Sequence, residues 1–435
     1  MLLLFGVRSS GQERKPAGSV VWHIQQERLW TTLQKLSEFG KNPEGGVSRV
    51  GFTEADLAGR AYAIQLMRDA GLEMRIDPAG NIFGRRAGSA SLPILLVGSH
   101  IDSVPHGGNF DGDVGSLGAI EVIRALNDAH VTTRHPLEVV IWTNEEGGRF
   151  YSGLFGSSAA AGILPADIAD RQDERGENLR DWLSRMGGDA ARISEAKIAA
   201  GRVSGYLELH IEQGAVLDEA KIPIGVVQGI VGISLRTCTV VGFANHAGTT
   251  PMNRRKDALA AASRALLAVR EEVRAESGRQ VGTVGWIKVE PGASNVIPGG
   301  ATFPVELRDL DAQKVDRIAA RILQRFEAIA REENVEITCT KPDFHAPALT
   351  APAFQQAIRA SAQEAGLQML ELPSGAGHDA QNAARFAPAG MIFVPSRGGI
   401  SHSPLEYTAP EQVANGAEVL YRTVLRLDAQ LDSGK

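Results

Sequence analysis

The chain has 435 residues, 43% of them hydrophobic and 22% charged, with a formal net charge of -6. That length exceeds what one hydrophobic core serves, so two domains are expected, and the mild negative balance excludes the footprint of a nucleic-acid or anionic-membrane binder and favours a small-molecule partner. Only two cysteines occur, Cys238 and Cys339, which excludes a disulfide framework and fits a reducing cytoplasm.

The opening MLLLFGV lacks a basic n-region and is too short for a signal h-region, and no later run reaches membrane-spanning length, so a cytoplasmic location is expected. Residues 8–19, RSSGQERKPAGS, read as part of a disordered leader over 1–19. Helical periodicity runs from Trp22 to Phe39 and again from Thr53 to Ala70, where Thr53 and Asp56 form a capping box and Gly71 closes the helix. Strands follow at 73–76, 81–86 and 94–100, then a helix from Asp113 to Asp128, which is α/β alternation. The segments ILLVGSH (94–100), PLEVVIWTNEE (136–146) and GYLELHIEQG (205–214) are nearly continuous apolar runs, the pattern of parallel strands covered on both faces.

Between Gly232 and Thr340 the order changes to strand 233–242, helix 256–276, strand 281–290, strand 301–309, helix 312–333 and strand 335–341. That βαββαβ order is the ferredoxin-like unit, able to stand as its own layer of antiparallel sheet and two helices. A helix at 353–366 and an apolar strand at 390–394 return the chain to the first domain. The expected fold is α/β, with a mixed, mostly parallel sheet flanked by helices built from 20–224 and 343–435, and an inserted ferredoxin-like domain over 225–342.

Polar residues cluster where the apolar runs end, and in open α/β sheets that edge forms the ligand crevice. His100 and Asp102 start on one face of a strand end, so Asp102 can receive the imidazole N–H that a metal does not use; a hydrogen-bonded rim histidine is the alternative. Asp111 lies in the glycine-rich loop HGGNFDGD ahead of a helix, and since Asp113 is better placed to cap that helix, Asp111 is left free to bridge cations. Adjacent Glu145 and Glu146 repel each other, which calls for a compensating positive charge, one as metal ligand and the other as general base. His210 is flanked on its own face by Glu208 and Glu212, and His402 follows the stretch PSRGGI. Together three histidines, an aspartate and a glutamate suffice for two divalent ions sharing one carboxylate, in a nitrogen and oxygen environment that suits Zn, Mn, Co or Ni. Such a pair polarises a carbonyl and activates water, the chemistry of amide hydrolysis.

The motifs GSHIDS, GGNFDG, TNEEG, HIEQG, NHAGTTPM at 245–252, NVIPG at 295–299, ELRD at 306–309, GAGHDA at 375–380 and SHSPLE are carried in an order that resembles the M20 metallopeptidase and amidase family. Within it the chain is similar to the carbamoylase branch of N-carbamoyl-L-amino acid amidohydrolases, allantoate amidohydrolases and β-ureidopropionases. The resemblance implies that His100, Asp111 and His210 hold one metal, and Asp111, Glu146 and His402 the other. It further implies Glu145 as general acid and base, Asp102 as the residue orienting His100, and His246 as a catalytic histidine reaching across a homodimer. Substrate contacts would come from Gln213, Asn295, Arg308, Gly377, His378, Arg397 and Gly398, with Arg308 pairing an amino-acid-like carboxylate. The inserted domain would then be a lid and dimerisation surface, and the larger one catalytic. A histidine at 210, where peptide-cleaving members usually have a carboxylate, implies a ureido acid substrate rather than a peptide. The reaction so implied is hydrolysis of the carbamoyl C–N bond of N-carbamoyl-L-amino acids. Allantoate or 3-ureidopropanoate are alternative substrates, and an N-acyl-amino-acid deacylase or a non-catalytic binding protein are the remaining readings.

Overall fold

The computed structural model describes residues 21–431, so the leader expected over 1–19 lies outside the described residues. Among these residues nine strands form the larger sheet, in the order Glu73–Ile76, Ile82–Arg86, Leu137–Trp142, Ile94–His100, Val203–Ile211, Ala389–Val394, Ile224–Ile230 and Ala348–Leu349, with Met369–Ser374 also pairing Ile224–Ile230. The pairings that join Leu137–Trp142, Ile94–His100, Val203–Ile211 and Ala389–Val394 are parallel. Toward the edges the sheet turns antiparallel, which makes it mixed.

Every residue of Ile94–His100 and of Leu137–Trp142 is buried, because the sheet is covered twice. Leu95, Val97, Val139, Ile141 and Leu207 pack with the helices Asp113–Asp128 and Pro410–Gln430. The alternate residues Ile94, Leu96, Val140 and Trp142 pack on the other side, with Ala160, Ala380 and Ala383. Each such apolar side chain contributes roughly 1.5–3 kcal/mol when buried. The register sets His100 opposite Trp142, and His210 opposite Phe393, so the carboxyl ends of the parallel strands open on one edge.

A six-stranded antiparallel sheet carries the inserted unit in the order Lys288–Glu290, Gly300–Asp309, Gly232–Val241 and Glu336–Cys339, the neighbour relations of the ferredoxin-like fold. Helices Ala258–Ala275 and Ala312–Glu333 close its own core around Phe303, Ile318 and Phe326. The strand expected over 281–290 is broken into Val281–Thr283 and Lys288–Glu290, with Gly285, which offers no side chain to pack, in the gap. Strand Ile224–Ile230 falls partly within the span expected for the inserted unit, yet it hydrogen-bonds into the larger sheet. Among the described residues no helix is long and apolar enough to cross a membrane.

Two expectations are corrected here. Cys238 and Cys339 form a disulfide, because strand pairing places them directly opposite one another across a sequence separation of 101. Asp113 does not cap its helix: the N-cap is Gly112, and both oxygens of the Asp113 carboxylate instead accept from Arg49 Nη2, at 2.8 and 2.6 Å. At the helix Glu54–Asp69 the capping arrangement does form, with Thr53 accepting the N–H of Asp56 and Asp56 reaching back to the N–H of Phe52.

Candidate active site

Strand ends and two loops deliver the cluster. His100 ends its strand and His210 sits one residue before the end of Val203–Ile211. The Nδ1 of His100 donates to the Asp102 carbonyl at 3.0 Å, and that of His210 to the Ile211 carbonyl at 2.9 Å. Both rings therefore turn Nε2 and its lone pair toward the same space, with the two Nε2 atoms 3.5 Å apart. Gly112 makes this approach possible: at φ +67 it occupies the left-handed region, and a Cβ there would collide with the His100 ring.

Asp111 stands between two groups. Its Oδ1 is 3.1 Å from His210 Nε2 and 3.8 Å from His100 Nε2, while its Oδ2 is 3.2 Å from His402 Nε2. Glu146 Oε2 completes the second group at 3.3 Å from His402. Within each of the two sets, His100 with Asp111 and His210, and Asp111 with Glu146 and His402, one donor atom per residue lies within 4.8 Å of the others. Gln213 donates to Asp111 Oδ2 at 2.6 Å, and the Ser401 hydroxyl oxygen lies 3.0 Å from the same oxygen. Both Gln213 and His402 hold positive φ, at 59 and 53, a backbone cost of the kind functional loops carry.

Glu145 and Glu146 leave the strand Leu137–Trp142 through Asn144 at φ 52, which breaks the alternation that would send adjacent side chains apart. Their backbone N–H groups both donate to the Asp102 carboxylate, at 3.1 and 3.0 Å. The Asp102 carboxylate, expected to take the imidazole N–H of His100, lies 3.8 Å from His100 Nδ1 and instead anchors the glutamate turn, and it is the Asp102 carbonyl that orients the histidine. Glu145 Oε2 reaches to 3.8 Å from His100 Nε2.

The electrostatics of this cluster call for positive charge. Burial and the neighbouring Glu146 carboxylate push Glu145 well above the usual carboxylate range. Although burial opposes it, the charge and hydrogen bond of His210 hold Asp111 well below that range. Hydrogen bonds with Asp111 and Glu146 raise His402 to about 10. Burial works against the charged form of His210, yet Asp111 raises it to about 9. Glu146 Oε1 and Gln213 Oε1 are buried without a hydrogen-bond partner. Three imidazoles, a shared carboxylate and an unpartnered glutamate oxygen are a donor set that fits divalent cations. A third grouping, Glu208 with His210 and His378, is already spent: Glu208 accepts from Ser99, Tyr206 and the Ala380 N–H, and His378 Nε2 pairs with Ser374.

The cluster forms one wall of a cavity of about 520 Å³ that Gly377 and His378 also line. His378 stacks edge-on against His210 with centroids 4.4 Å apart. Arg308 stands at the border of this cavity, donating to the Gly375 carbonyl at 2.8 Å and to Glu306 at 2.8 Å. His246 and Asn295 are exposed on the inserted unit, where His246 pairs with Val296 in a two-stranded ribbon and the Ala247 N–H donates to the Asn295 carbonyl, and neither lines the cavity of its own chain. Arg397 lies outside as well: its guanidinium stacks on Tyr407 at 4.1 Å, and the Gly398 N–H donates to Asp218. Sequence reasoning missed Tyr151, Gln381 and Arg385, which line the cavity, Tyr151 from a loop and the other two from just beyond the GAGHDA motif.

An α/β body with an inserted antiparallel unit, and a carboxylate shared by two histidine-bearing sets, define the class: the chain belongs to peptidase family M20/M25/M40, whose model matches residues 96–426. It is similar to the N-carbamoyl-L-amino acid amidohydrolase of Geobacillus stearothermophilus, 44% identical over 405 residues that span 93% of this chain and 99% of that protein. The ureidoglycolate hydrolase of Arabidopsis thaliana is 35% identical over 408 residues, covering 92% of this chain and 86% of its own. Among solved structures, an amidase of the hydantoinase/carbamoylase family from Burkholderia multivorans superposes with a TM-score of 0.88 at 38% identity, over 93% of this chain and 98% of that one.

Proposed function

We propose that this chain, a hydrolase of carbon–nitrogen bonds other than peptide bonds, hydrolyses N-carbamoyl-L-amino acids: one water is consumed, and the amino acid, ammonia and carbon dioxide are released. The observation that carries this reading is Asp111, whose two oxygens face His100 with His210 on one side and His402 with Glu146 on the other. The similarity to N-carbamoyl-L-amino acid amidohydrolases supports the substrate class.

His100, Asp111 and His210 would hold one divalent cation, and Asp111, Glu146 and His402 a second, from among Zn, Mn, Co and Ni. When bound, such ions supply Lewis-acid polarisation of the scissile carbonyl and make water more acidic. Glu145 takes the proton of the attacking water on its carboxylate and returns it to the departing nitrogen. Asp102 keeps Glu145 and Glu146 in place through their two N–H groups. Arg308 receives the substrate carboxylate, and Gly377 and His378 border the reacting group. Asn295 adds a neutral hydrogen bond to the substrate, and His246, exposed on the inserted unit, reaches the site of a second copy in a homodimer and donates to the oxyanion.

Ammonia release from the divalent-loaded protein, measured on N-carbamoyl-L-amino acids, allantoate and 3-ureidopropanoate, tests this. Ammonia from the N-carbamoyl amino acids supports the reading. Turnover of allantoate or 3-ureidopropanoate alone reassigns the substrate, a free carboxylic acid from N-acyl amino acids replaces the reaction, and no turnover at all leaves a binding protein.

A further inference from the structure

We infer that Glu306 is the positioning residue that decides which edge of Arg308 is offered to the substrate, an inference that rests on the reading of Arg308 as the carboxylate receiver. Strand Gly300–Asp309 alternates strictly in burial, with Ala301, Phe303, Val305 and Leu307 in the core of the inserted unit. Glu306 and Arg308 are therefore neighbours on the opposite face, two residues apart, in register with Leu235 and Ile233 of the adjoining strand. That face meets the larger body through the Arg308 bond to the Gly375 carbonyl, and Gly375 and Ile233 both line the cavity.

A guanidinium has two edges able to take a carboxylate in a fork, the side edge through Nε and the end edge through the two terminal nitrogens. Glu306 Oε1 occupies Nε at 2.8 Å, which closes the side edge. Gly375 takes one N–H of the first terminal nitrogen, also at 2.8 Å, and fixes the rotation of the plane. The end edge retains its other N–H groups for an incoming carboxylate. Glu306 and Arg308 are each about 30% exposed, 31% and 28%, so the pairing adds little to stability and its consequence is orientation. An internal carboxylate at this position keeps a flexible, many-rotamer side chain aimed before substrate arrives, which lowers the ordering cost of binding.

The test compares an N-carbamoyl-L-amino acid with its carboxamide, using the full chain loaded with manganese. Glu306→Ala should raise KM for the acid about tenfold, the scale of one hydrogen bond to a charged group, with kcat little changed and KM for the carboxamide unmoved. Glu306→Gln, whose amide oxygen still accepts from Nε, should restore most of the loss. In an Arg308→Ala background the Glu306→Ala effect should vanish. An equal rise for acid and carboxamide, or a rise that persists without Arg308, overturns the inference. So does a KM below that of the parent in Glu306→Gln, which would make Glu306 a competitor for Arg308 rather than its guide. Should Glu306→Ala fail to fold, Glu306→Asp, which withdraws the carboxylate by one methylene, carries the same comparison. If Arg308→Ala itself fails to separate acid from carboxamide, the carboxylate reading of Arg308 falls; if Arg308→Ala separates them and Glu306→Ala does not, only the role of Glu306 falls.

Discussion

Glu406 accepts the backbone N–H of Asp111 at 3.1 Å and that of Phe110 at 3.0 Å, while its second oxygen accepts the Ser401 hydroxyl at 2.7 Å. One buried carboxylate thus ties the loop that carries Asp111, the residue common to both groups, to the loop that carries His402, far along the chain. Groups that hold ligands in place tune metal sites nearly as strongly as the ligands do. Glu406→Ala is expected to weaken divalent-cation binding by about 10–100-fold. Competition against a chelator of known affinity reads this directly, and unchanged affinity would remove Glu406 from the site.

Glu145 faces the histidine cluster while its neighbour Glu146 faces His402, so the two carboxylates are not interchangeable. Glu145→Gln is expected to retain the metal content of the parent and lose turnover by about 10²–10⁴-fold, the usual worth of a proton-transfer group. Metal analysis alongside ammonia release separates the two effects. A variant that keeps most of its turnover contradicts the assignment of Glu145 as the base.

The residues that gather in the cluster were legible because each polar residue follows a run whose apolar character is explained by burial on both faces, as at His100 after ILLVGS. The inserted unit was legible for a related reason: its helices and strands have clean periods, as the burial alternation of Gly300–Asp309 shows. What stayed hidden depends on contacts between distant segments. Nothing in HGGNFDGD tells that Asp113 meets Arg49 instead of capping its helix, and nothing in SHSPLE tells that Glu406 reaches back to Asp111. The pairing of Cys238 with Cys339 follows from strand register, which spacing does not encode. Arg397 carries a motif-like setting, PSRGG, yet Tyr407 offers its guanidinium a stacking partner outside the cavity.

Removal of divalent ions should abolish activity and also lower thermal stability. His100, His210, His402, Asp111 and Glu146, with Glu145, concentrate carboxylates and imidazoles in one cluster, and a cation that binds only the folded state stabilises it by mass action, by about 2.7 kcal/mol at a free concentration of 100 times Kd. Melting curves recorded with chelator, and again after manganese or zinc is returned, are expected to show a fall in Tm and its recovery. A Tm indifferent to both additions would mean that the cluster does not bind these ions.

Arg49 supports the cluster from behind. Its guanidinium grips Asp113 and also donates to the carbonyls of Ile101, Leu36 and Phe39, all within the packing that holds the strand end at His100. The side chain is 1% exposed and that of Asp113 2%, so removing one partner strands the other charge away from water. Arg49→Met is expected to destabilise the fold by about 3–5 kcal/mol, whereas the double change Arg49→Met with Asp113→Leu should recover a substantial part of that loss, because no unpaired charge remains. Urea unfolding of the two single variants and the double variant gives the coupling. Additive losses, with the double variant weaker than either single one, would show that the pair is not what holds this corner of the site.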